Sequence, residues 1–151
     1  MIIWLTGQPG SGKTTLAKEI IIELKKENPN IIHLDGDDLR LINQNKDYSK
    51  KGRIKNISTA ISIIRFLSNK KYVCIVSIVA PYAFLRDELK KEFNFIEVYL
   101  FTNEIRGREH FFAQDYEIPA NSNLSLDTGE KNIKECKNEI LDVYRKMATL
   151  A

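Results

Sequence analysis

A glycine-rich segment near the start of the chain has the residue types and spacing of a phosphate-binding loop. Residues 7–14 read Gly-Gln-Pro-Gly-Ser-Gly-Lys-Thr, the pattern Gly-x-x-x-x-Gly-Lys-Ser/Thr. Glycines let backbone N–H groups turn inward around polyphosphate oxygens, while the lysine reaches the β- and γ-phosphates and the threonine hydroxyl can ligate Mg²⁺. The segment therefore predicts binding of ATP or a similar triphosphate with Mg²⁺ by Gly7, Gly10, Ser11, Gly12, Lys13, Thr14 and Thr15.

Two carboxylates lie further along, at the end of an apolar run. Asp35 and Asp37 follow Leu34 in the segment Leu-Asp-Gly-Asp-Asp-Leu-Arg. If the run is a strand, they lie at its carboxyl end, where open parallel sheets bind ligands. In such a pair, one carboxylate can support a metal ion while the other orients an acceptor hydroxyl. The alternative is an ordinary turn, with Asp37 or Asp38 as the cap of the next helix.

Short apolar runs alternate with amphipathic stretches along the whole chain. The runs predict strands at 2–6, 31–34, 73–79, 95–101 and 123–127, and the stretches predict helices at 13–27, 51–68, 84–92 and 130–147. In the second helix, one apolar stripe contains Ile54, Ile57, Ile61, Ile64 and Leu67. This alternation predicts an α/β fold of the P-loop NTPase type, with a five-stranded parallel sheet between two helical layers.

Length and composition exclude several classes of protein. The chain has 151 residues, enough for a single domain over 1–151, and its net charge of +3 is too small to indicate a nucleic-acid or membrane partner. The longest apolar runs are too short to span a bilayer. Two cysteines at unrelated spacing form no disulfide framework or metal motif, so we expect a cytoplasmic protein.

Motifs that the sequence lacks argue against two classes of nucleotide-binding protein. No Asn-Lys-x-Asp segment is present to read a guanine base, which argues against a GTPase switch. No basic stripe or aromatic platform indicates a nucleic-acid motor. A small phosphate-loop protein without those parts is expected to transfer phosphate to a small acceptor.

Six segments in order resemble the adenylylsulfate kinases, enzymes that phosphorylate the 3′-hydroxyl of adenosine 5′-phosphosulfate. The similarity extends over nearly the whole chain. In the family, the six segments are a glycine-rich loop, Asp-Gly-Asp-Asn-Val-Arg, Phe-Ser with Arg-x-x-Asn-Ile, Ile-Ser-Pro-Tyr, Pro-Tyr-Glu-x-Pro and Leu-Asp-Thr. In this chain the six are Gly7 to Thr15, Asp35 to Arg40, Tyr48 with Arg53 to Ile57, Val79 to Tyr82 with Arg86, Asp115 to Pro119, and Leu126 to Thr128.

The resemblance implies a role for each matching residue. Lys13 would act on the phosphates, Asp35 would support Mg²⁺ with Thr14, and Asp37 would orient or deprotonate the attacking hydroxyl. Thr128 would lie near the ATP base. The acceptor nucleotide would be bound by Asp37, Arg40, Tyr48, Arg53, Asn56 and the backbone around Val79 and Ala80. For Arg53 and Asn56, the residues alone, without the resemblance, favour a solvated helix face.

The chain departs from the family pattern in three places. Ala80 stands where the family has serine, and Ala83 where it usually has arginine. The segment at about 103–115 is shorter than the family's lid. Within it, Arg106 or Arg108 could stabilise charge on ATP and Phe111 or Phe112 could stack on a base, or the segment could be an amphipathic helix with exposed arginines and core phenylalanines.

Together these residues predict an ATP- and Mg²⁺-dependent kinase acting on the 3′-hydroxyl of adenosine 5′-phosphosulfate. One alternative is a kinase for a different nucleotide conjugate, such as cytidine diphosphoramidate, because a short lid changes acceptor selectivity. Another is a nucleotide-binding module without transfer activity. Members of the family are often dimers, so the resemblance makes a homodimer an expectation that the residues do not test.

Overall fold

A computed structural model of the chain describes residues 1–150. Five strands form one parallel sheet in the order β2-β3-β1-β4-β5, where the strands are β1 (Ile2–Thr6), β2 (Ile31–Asp35), β3 (Val73–Ser77), β4 (Phe95–Phe101) and β5 (Leu124–Asp127). The central three strands are almost entirely apolar, which suits a sheet covered on both faces.

The connections between the strands are mainly helical. They contain α1 (Lys13–Leu24), α2 (Gly36–Ile42), α3 (Lys50–Ser68) and α4 (Ala83–Glu92), and α5 (Ile133–Thr149) follows the last strand. The connection from β4 to β5 holds a single 3₁₀ turn, Glu109–Phe111. No helix in the described part of the chain is long and apolar enough to cross a membrane.

Two apolar cores lie on opposite faces of the sheet. On one face, α2, α3 and α4 pack on residues such as Trp4 and Val76; on the other, α1 and α5 pack on residues such as Leu5 and Ile75. The alternation of side chains along each strand sends neighbouring residues into different cores. The predicted three-layer α/β fold is therefore confirmed.

The strand order creates a crevice at the carboxyl ends of β1 and β3. From β1 the chain passes to β2 and β3 on one side, and from β3 it crosses to β4 on the other side of β1. Connections that leave adjacent strands in opposite directions open the crevice in which α/β sheets bind ligands. The phosphate loop follows β1, so it lies at this point.

The element boundaries differ from expectation in two informative places. Helix α2 was not predicted, because a seven-residue segment that begins with Gly and two Asp residues looks like a turn. Its cap is Asp35, whose side chain accepts a hydrogen bond from the Asp37 N–H, so the alternative of a cap at Asp37 or Asp38 was wrong. Strand β3 ends at Ser77 rather than Val79, because the next carbonyls bond to side chains.

Candidate active site

The phosphate loop is shaped by glycines that no other residue could replace without strain. A Cβ on Gly7 would lie 2.3 Å from the Leu100 carbonyl oxygen, and Gly10 has φ of +83°. Gly7 and Ser11 line neither of the two cavities of the site, and they help to shape the loop through hydrogen bonds to their carbonyl groups. The Gly7 carbonyl accepts a hydrogen bond from Lys13 Nζ at 3.0 Å. The Ser11 carbonyl accepts one from Thr128 Oγ1 at 2.7 Å.

Lys13 is buried in the loop and folded back onto it. Its Nζ donates to the Gly7 and Gln8 carbonyls at 3.0 and 2.8 Å. Burial lowers the pKa of Lys13 to about 7, although Asp35 and Asp37 act in the opposite direction. Because little negative charge compensates the buried Lys13 ammonium, binding of a polyanion beside it is favourable.

Asp35 joins the ends of three elements. Its Oδ2 accepts hydrogen bonds from the Thr14 and Ser77 hydroxyls, both at 2.7 Å, and its Oδ1 accepts one from the Asp37 N–H at 3.0 Å. Burial raises the pKa of Asp35, but these hydrogen bonds outweigh it and hold the pKa below its ordinary value. The side chain is thus an ionised carboxylate beside the phosphate loop.

The pair of Thr14 and Asp35 fits Mg²⁺ bound together with a nucleotide. Both are oxygen donors, and Mg²⁺ in nucleotide sites takes only one or two protein oxygens because phosphates and water supply the rest. Residues 1–150 contain no group of three or more His, Cys, Asp or Glu side chains suited to a protein-only metal site. An ion at this place would therefore depend on the nucleotide.

Two residues near Asp35, Ser77 and His33, were not among the site residues predicted from the sequence. Ser77 lies opposite Asp35 in the register of β2 and β3, and its hydroxyl is 2.7 Å from His33 Nε2. The one signal in the sequence is that Ser77 is the only polar residue of an otherwise apolar strand.

A cavity of about 390 Å³ extends from the phosphate loop across the crevice. Asp37 faces it from the first turn of α2. The predicted ATP-binding and acceptor-binding residues share its walls: Gly10, Gly12, Lys13, Thr14, Thr15, Asp35, Asp37, Arg40, Tyr48, Arg53, Asn56, Val79, Ala80 and Arg106. Residues that are widely separated in the sequence are thus brought to one site.

Arg53 and Asn56 belong to the interior of this site. They are only 5% and 3% exposed, so the alternative of a solvated helix face was wrong. Arg53 is held by the carbonyls of Tyr48 and Phe111, at 3.0 and 2.7 Å. The Asn56 amide nitrogen donates to the Gly36 carbonyl at 3.3 Å, while its buried Oδ1 has no partner and is available to a ligand.

An aromatic pair, Tyr48 and Phe111, lines the cavity. The ring centroids of Tyr48 and Phe111 are 4.9 Å apart. The Arg40 guanidinium lies 4.0 Å from the Tyr48 centroid. The sequence had left Phe111 and Phe112 as equal candidates. Phe111 lines the cavity, whereas Phe112 is outside it and 38% exposed.

The segment between β4 and β5 lies over the phosphate loop and is not a helix. The alternative of an amphipathic helix was wrong, because the segment contains only the 3₁₀ turn Glu109–Phe111. Gln8 exchanges two hydrogen bonds with the backbone of Ala113, at 2.8 and 2.9 Å. Arg108, which also lines the cavity, packs against Gly10.

Arg106 connects this segment to the loops on both sides. Its guanidinium donates to the Gly10 carbonyl at 3.0 Å and to the hydroxyl and carbonyl of Thr128 at 3.1 and 3.0 Å. On its other side is a second cavity of about 600 Å³, whose walls include Thr128, Asn132 and Cys136. Gly12, Thr15 and Arg106 border both cavities. A nucleotide could place phosphates in one and its base in the other.

Comparison with known proteins identifies the family of the chain. The sequence profile of the family described as "Adenylylsulphate kinase" matches residues 1–111, which include both aspartates and the aromatic pair. The chain belongs to this family. The adenylyl-sulfate kinase of Bacillus licheniformis is 31% identical, over 95% of this chain and 84% of the relative.

Two further comparisons bear on the substrate and the fold. The cytidine diphosphoramidate kinase of Campylobacter jejuni is 36% identical, over 66% of this chain and 59% of the relative. The Mycobacterium tuberculosis APS kinase in complex with AMPPNP and APS has a TM-score of 0.82 with 23% identity, covering 95% of this chain and 96% of that one. As an adenylylsulphate kinase family member, the chain is a phosphotransferase with an alcohol group as acceptor.

Proposed function

We propose that this family member transfers the γ-phosphoryl group of ATP to the 3′-hydroxyl of adenosine 5′-phosphosulfate, releasing ADP and 3′-phosphoadenylylsulfate. The observation that carries the proposal is the shared cavity, in which the phosphate loop and the acceptor-side residues Asp37, Arg40 and Arg53 face one another. The proposal treats residues 1–151 as one kinase domain in which 103–115 act as a short lid.

On the donor side, the chain's own groups bind and orient the triphosphate. Lys13 would leave its carbonyl partners for the β- and γ-phosphates, and its burial makes that exchange favourable. Thr14 and Asp35 would hold Mg²⁺, which neutralises charge on the phosphates when bound. Arg106 and Thr128 would contact the nucleotide between phosphates and base.

On the acceptor side, Asp37 is the group that would orient or deprotonate the 3′-hydroxyl. It faces the same cavity as Lys13, and its carboxylate is exposed to solvent. Arg40 and Arg53 suit the phosphosulfate, because guanidinium offers forked donors and stays charged. The aromatic pair of Tyr48 and Phe111 offers ring faces and edges to the base.

The alanine at position 80 does not oppose transfer. In-line displacement between two bound substrates needs a positioned hydroxyl and a stabilised phosphoryl group, and it uses no serine nucleophile. Ala80 is buried and meets the cavity with its backbone and methyl group. The relatives named adenylyl-sulfate kinase and the APS complex of a structural neighbour support this acceptor.

A second candidate acceptor is a cytidine diphosphate conjugate such as cytidine diphosphoramidate. The relative that bears this name is 36% identical to the part of the chain that it matches. The short lid also supports the candidate, because less chain is available to enclose a purine base. Both acceptors carry a ribose hydroxyl and two linked anionic groups, so the same arginines would bind either one.

An acceptor panel tests the proposal. The protein would be incubated with Mg²⁺-ATP and, separately, adenosine 5′-phosphosulfate, cytidine diphosphoramidate, or no acceptor, and ADP release and the phosphorylated product would be measured. Turnover with adenosine 5′-phosphosulfate supports the proposal, and turnover with only the cytidine conjugate supports the second candidate. Measurable ATP binding without acceptor-stimulated ADP release would indicate a nucleotide-binding module and overturn both.

A further inference from the structure

One wall of the cavity is held in place through its backbone. We define the acceptor wall as residues 78–80, which follow β3 and line the cavity. Each of its three consecutive carbonyl groups accepts a hydrogen bond from a side chain that is at most 2% exposed. The pairs are Trp4 Nε1 with the Ile78 carbonyl (3.1 Å), Thr6 Oγ1 with that of Val79 (2.6 Å) and Arg86 Nη1 with that of Ala80 (2.6 Å).

The last residue of the wall has a backbone conformation that alanine avoids. Ala80 has φ of +44°, in the left-handed region where a Cβ crowds the following carbonyl. Alanine has no side-chain group to stabilise that conformation locally. The surroundings must therefore maintain it, and the hydrogen bond from Arg86 acts directly on the carbonyl of this residue.

Arg86 also reaches the segment that leads away from the short lid. Its Nη2 donates to the Glu117 carbonyl at 2.6 Å, and the Glu117 N–H donates to the Pro81 carbonyl at 2.8 Å. Beside this contact, the Tyr116 hydroxyl is 2.7 Å from Thr6 Oγ1. One guanidinium thus links the acceptor wall to residues 116–117.

The Arg86 guanidinium also pairs with a buried carboxylate, that of Glu97. Arg86 Nε lies 2.9 Å from Glu97 Oε1, and the two side chains are 2% and 1% exposed. Lys90 Nζ is 2.5 Å from the other carboxylate oxygen, so Glu97 keeps a cationic partner if Arg86 is altered. A buried arginine is tolerated only where its donors are matched, and here the matches are one carboxylate and two separate backbone segments.

We infer that Arg86 is a positioning residue for the acceptor: it sets the backbone of the acceptor wall and ties the wall to residues 116–117. The inference rests on the proposed function, because it assigns the wall to the acceptor nucleotide. Arg86 itself does not line the cavity. It acts on substrate through the backbone of Ala80 and of residues 116–117, and it makes no hydrogen bond to the phosphate loop.

The test compares Arg86→Lys with a matched arginine replacement elsewhere. Lysine preserves the charge opposite Glu97 but lacks the fork needed to hold two carbonyls. The control is Arg65→Lys, because Arg65 also pairs with a glutamate, Glu92 of α4, but is 57% exposed and remote from the cavity. Each variant is measured for acceptor KM, kcat, ATP affinity and amide hydrogen exchange.

For Arg86→Lys we expect acceptor KM to rise about tenfold with ATP affinity unchanged, since KM reports acceptor binding when chemistry is slow. Amide exchange should accelerate in peptides covering 78–82 and 113–118 and stay unchanged across 7–15. Arg65→Lys should match the wild type. A merely structural role for Arg86 would reduce the active fraction, lowering kcat with KM unchanged, and that result would overturn the inference.

Two further experimental outcomes also decide the inference. If the wild type turns over no acceptor, the proposed function fails, and hydrogen exchange alone decides the inference: unchanged protection of both peptides in Arg86→Lys overturns it. If Arg86→Lys does not fold, Thr6→Val takes its place, since it removes the hydroxyl that holds the Val79 carbonyl with little change in volume. It should produce the same split between acceptor KM and ATP affinity, and an unchanged KM would contradict the inference.

Discussion

The Thr14 hydroxyl donates a hydrogen bond to Asp35 Oδ2 at 2.7 Å, and this contact joins the phosphate loop to the end of β2. The two residues are separated by a helix and a strand in the sequence. They meet because parallel strands bring their carboxyl ends to one edge of the sheet. The contact places Asp35 at the proposed Mg²⁺ position and leaves Asp37 as the carboxylate proposed to face the acceptor.

Replacing Asp35 should affect the metal requirement most strongly. We expect Asp35→Asn to raise the Mg²⁺ concentration needed for half-maximal activity about tenfold or more, because the amide lacks the negative charge that holds the ion. The measurement is activity against free Mg²⁺ at saturating ATP. Asp38→Asn is the matched control, since Asp38 is exposed and outside the cavity. Equal Mg²⁺ curves for the two variants would remove Asp35 from this role.

Replacing Asp37 should affect the chemical step and not ATP binding. We expect Asp37→Asn to lower kcat by a factor of about 10² to 10⁴, the usual contribution of a positioned general base. ATP affinity, measured by calorimetry, should stay near the wild-type value because the Asp37 side chain makes no hydrogen bond to the phosphate loop. An unchanged kcat, with Asp38→Asn as the control, would show that Asp37 is not catalytic.

ATP affinity should fall as the pH rises above neutrality. In the free protein the pKa of Lys13 is about 7 through burial, and bound phosphates stabilise its charged form and raise that pKa. Binding therefore takes up a proton above pH 7, and affinity declines by up to about tenfold per pH unit. Calorimetry in buffers of different ionisation enthalpy measures the uptake. Lys13→Arg stays charged and should lose this slope; proton uptake that persists there would implicate another group.

Phe111 and Phe112 form an internal comparison. Phe111→Ala should raise acceptor KM about tenfold, as expected for loss of an aromatic face beside a base. Phe112→Ala should leave KM unchanged, because that ring is 38% exposed and outside the cavity. Steady-state kinetics at saturating ATP measure both. Equal effects of the two changes would show that the segment matters only for packing.

Arg106 should act on ATP rather than on the acceptor. Arg106→Gln removes the charged guanidinium that bridges Gly10 and Thr128, and charged hydrogen bonds of this kind contribute about 1.5–3 kcal/mol each. We expect ATP affinity to fall about tenfold or more with acceptor KM little changed. Arg145→Gln, which breaks a surface pair with Glu27, is the control. A larger effect on acceptor KM than on ATP affinity would place Arg106 on the acceptor side.

Much of the fold was predictable because its signals are local. The strand Ile2–Thr6, the loop after it and the helix from Lys13 follow from consecutive residues, and the apolar stripe of α3 from spacing alone. Helix α2 was missed because its seven residues have turn composition. A motif or the family resemblance was enough to pick out residues that line the cavity, such as Lys13, Thr14 and Asp37.

Sequence motifs, spacing and the family resemblance predicted the phosphate loop, the layered α/β fold and the residue types proposed to face a nucleotide and its acceptor. The packed structure was needed to show which of two adjacent phenylalanines enters the cavity, that Ser77 and Thr14 share one carboxylate, and that Arg86 bonds to the Ala80 carbonyl. These relationships join residues on different strands and loops. Their distances depend on how the chain packs, and no pattern of neighbouring residues encodes them.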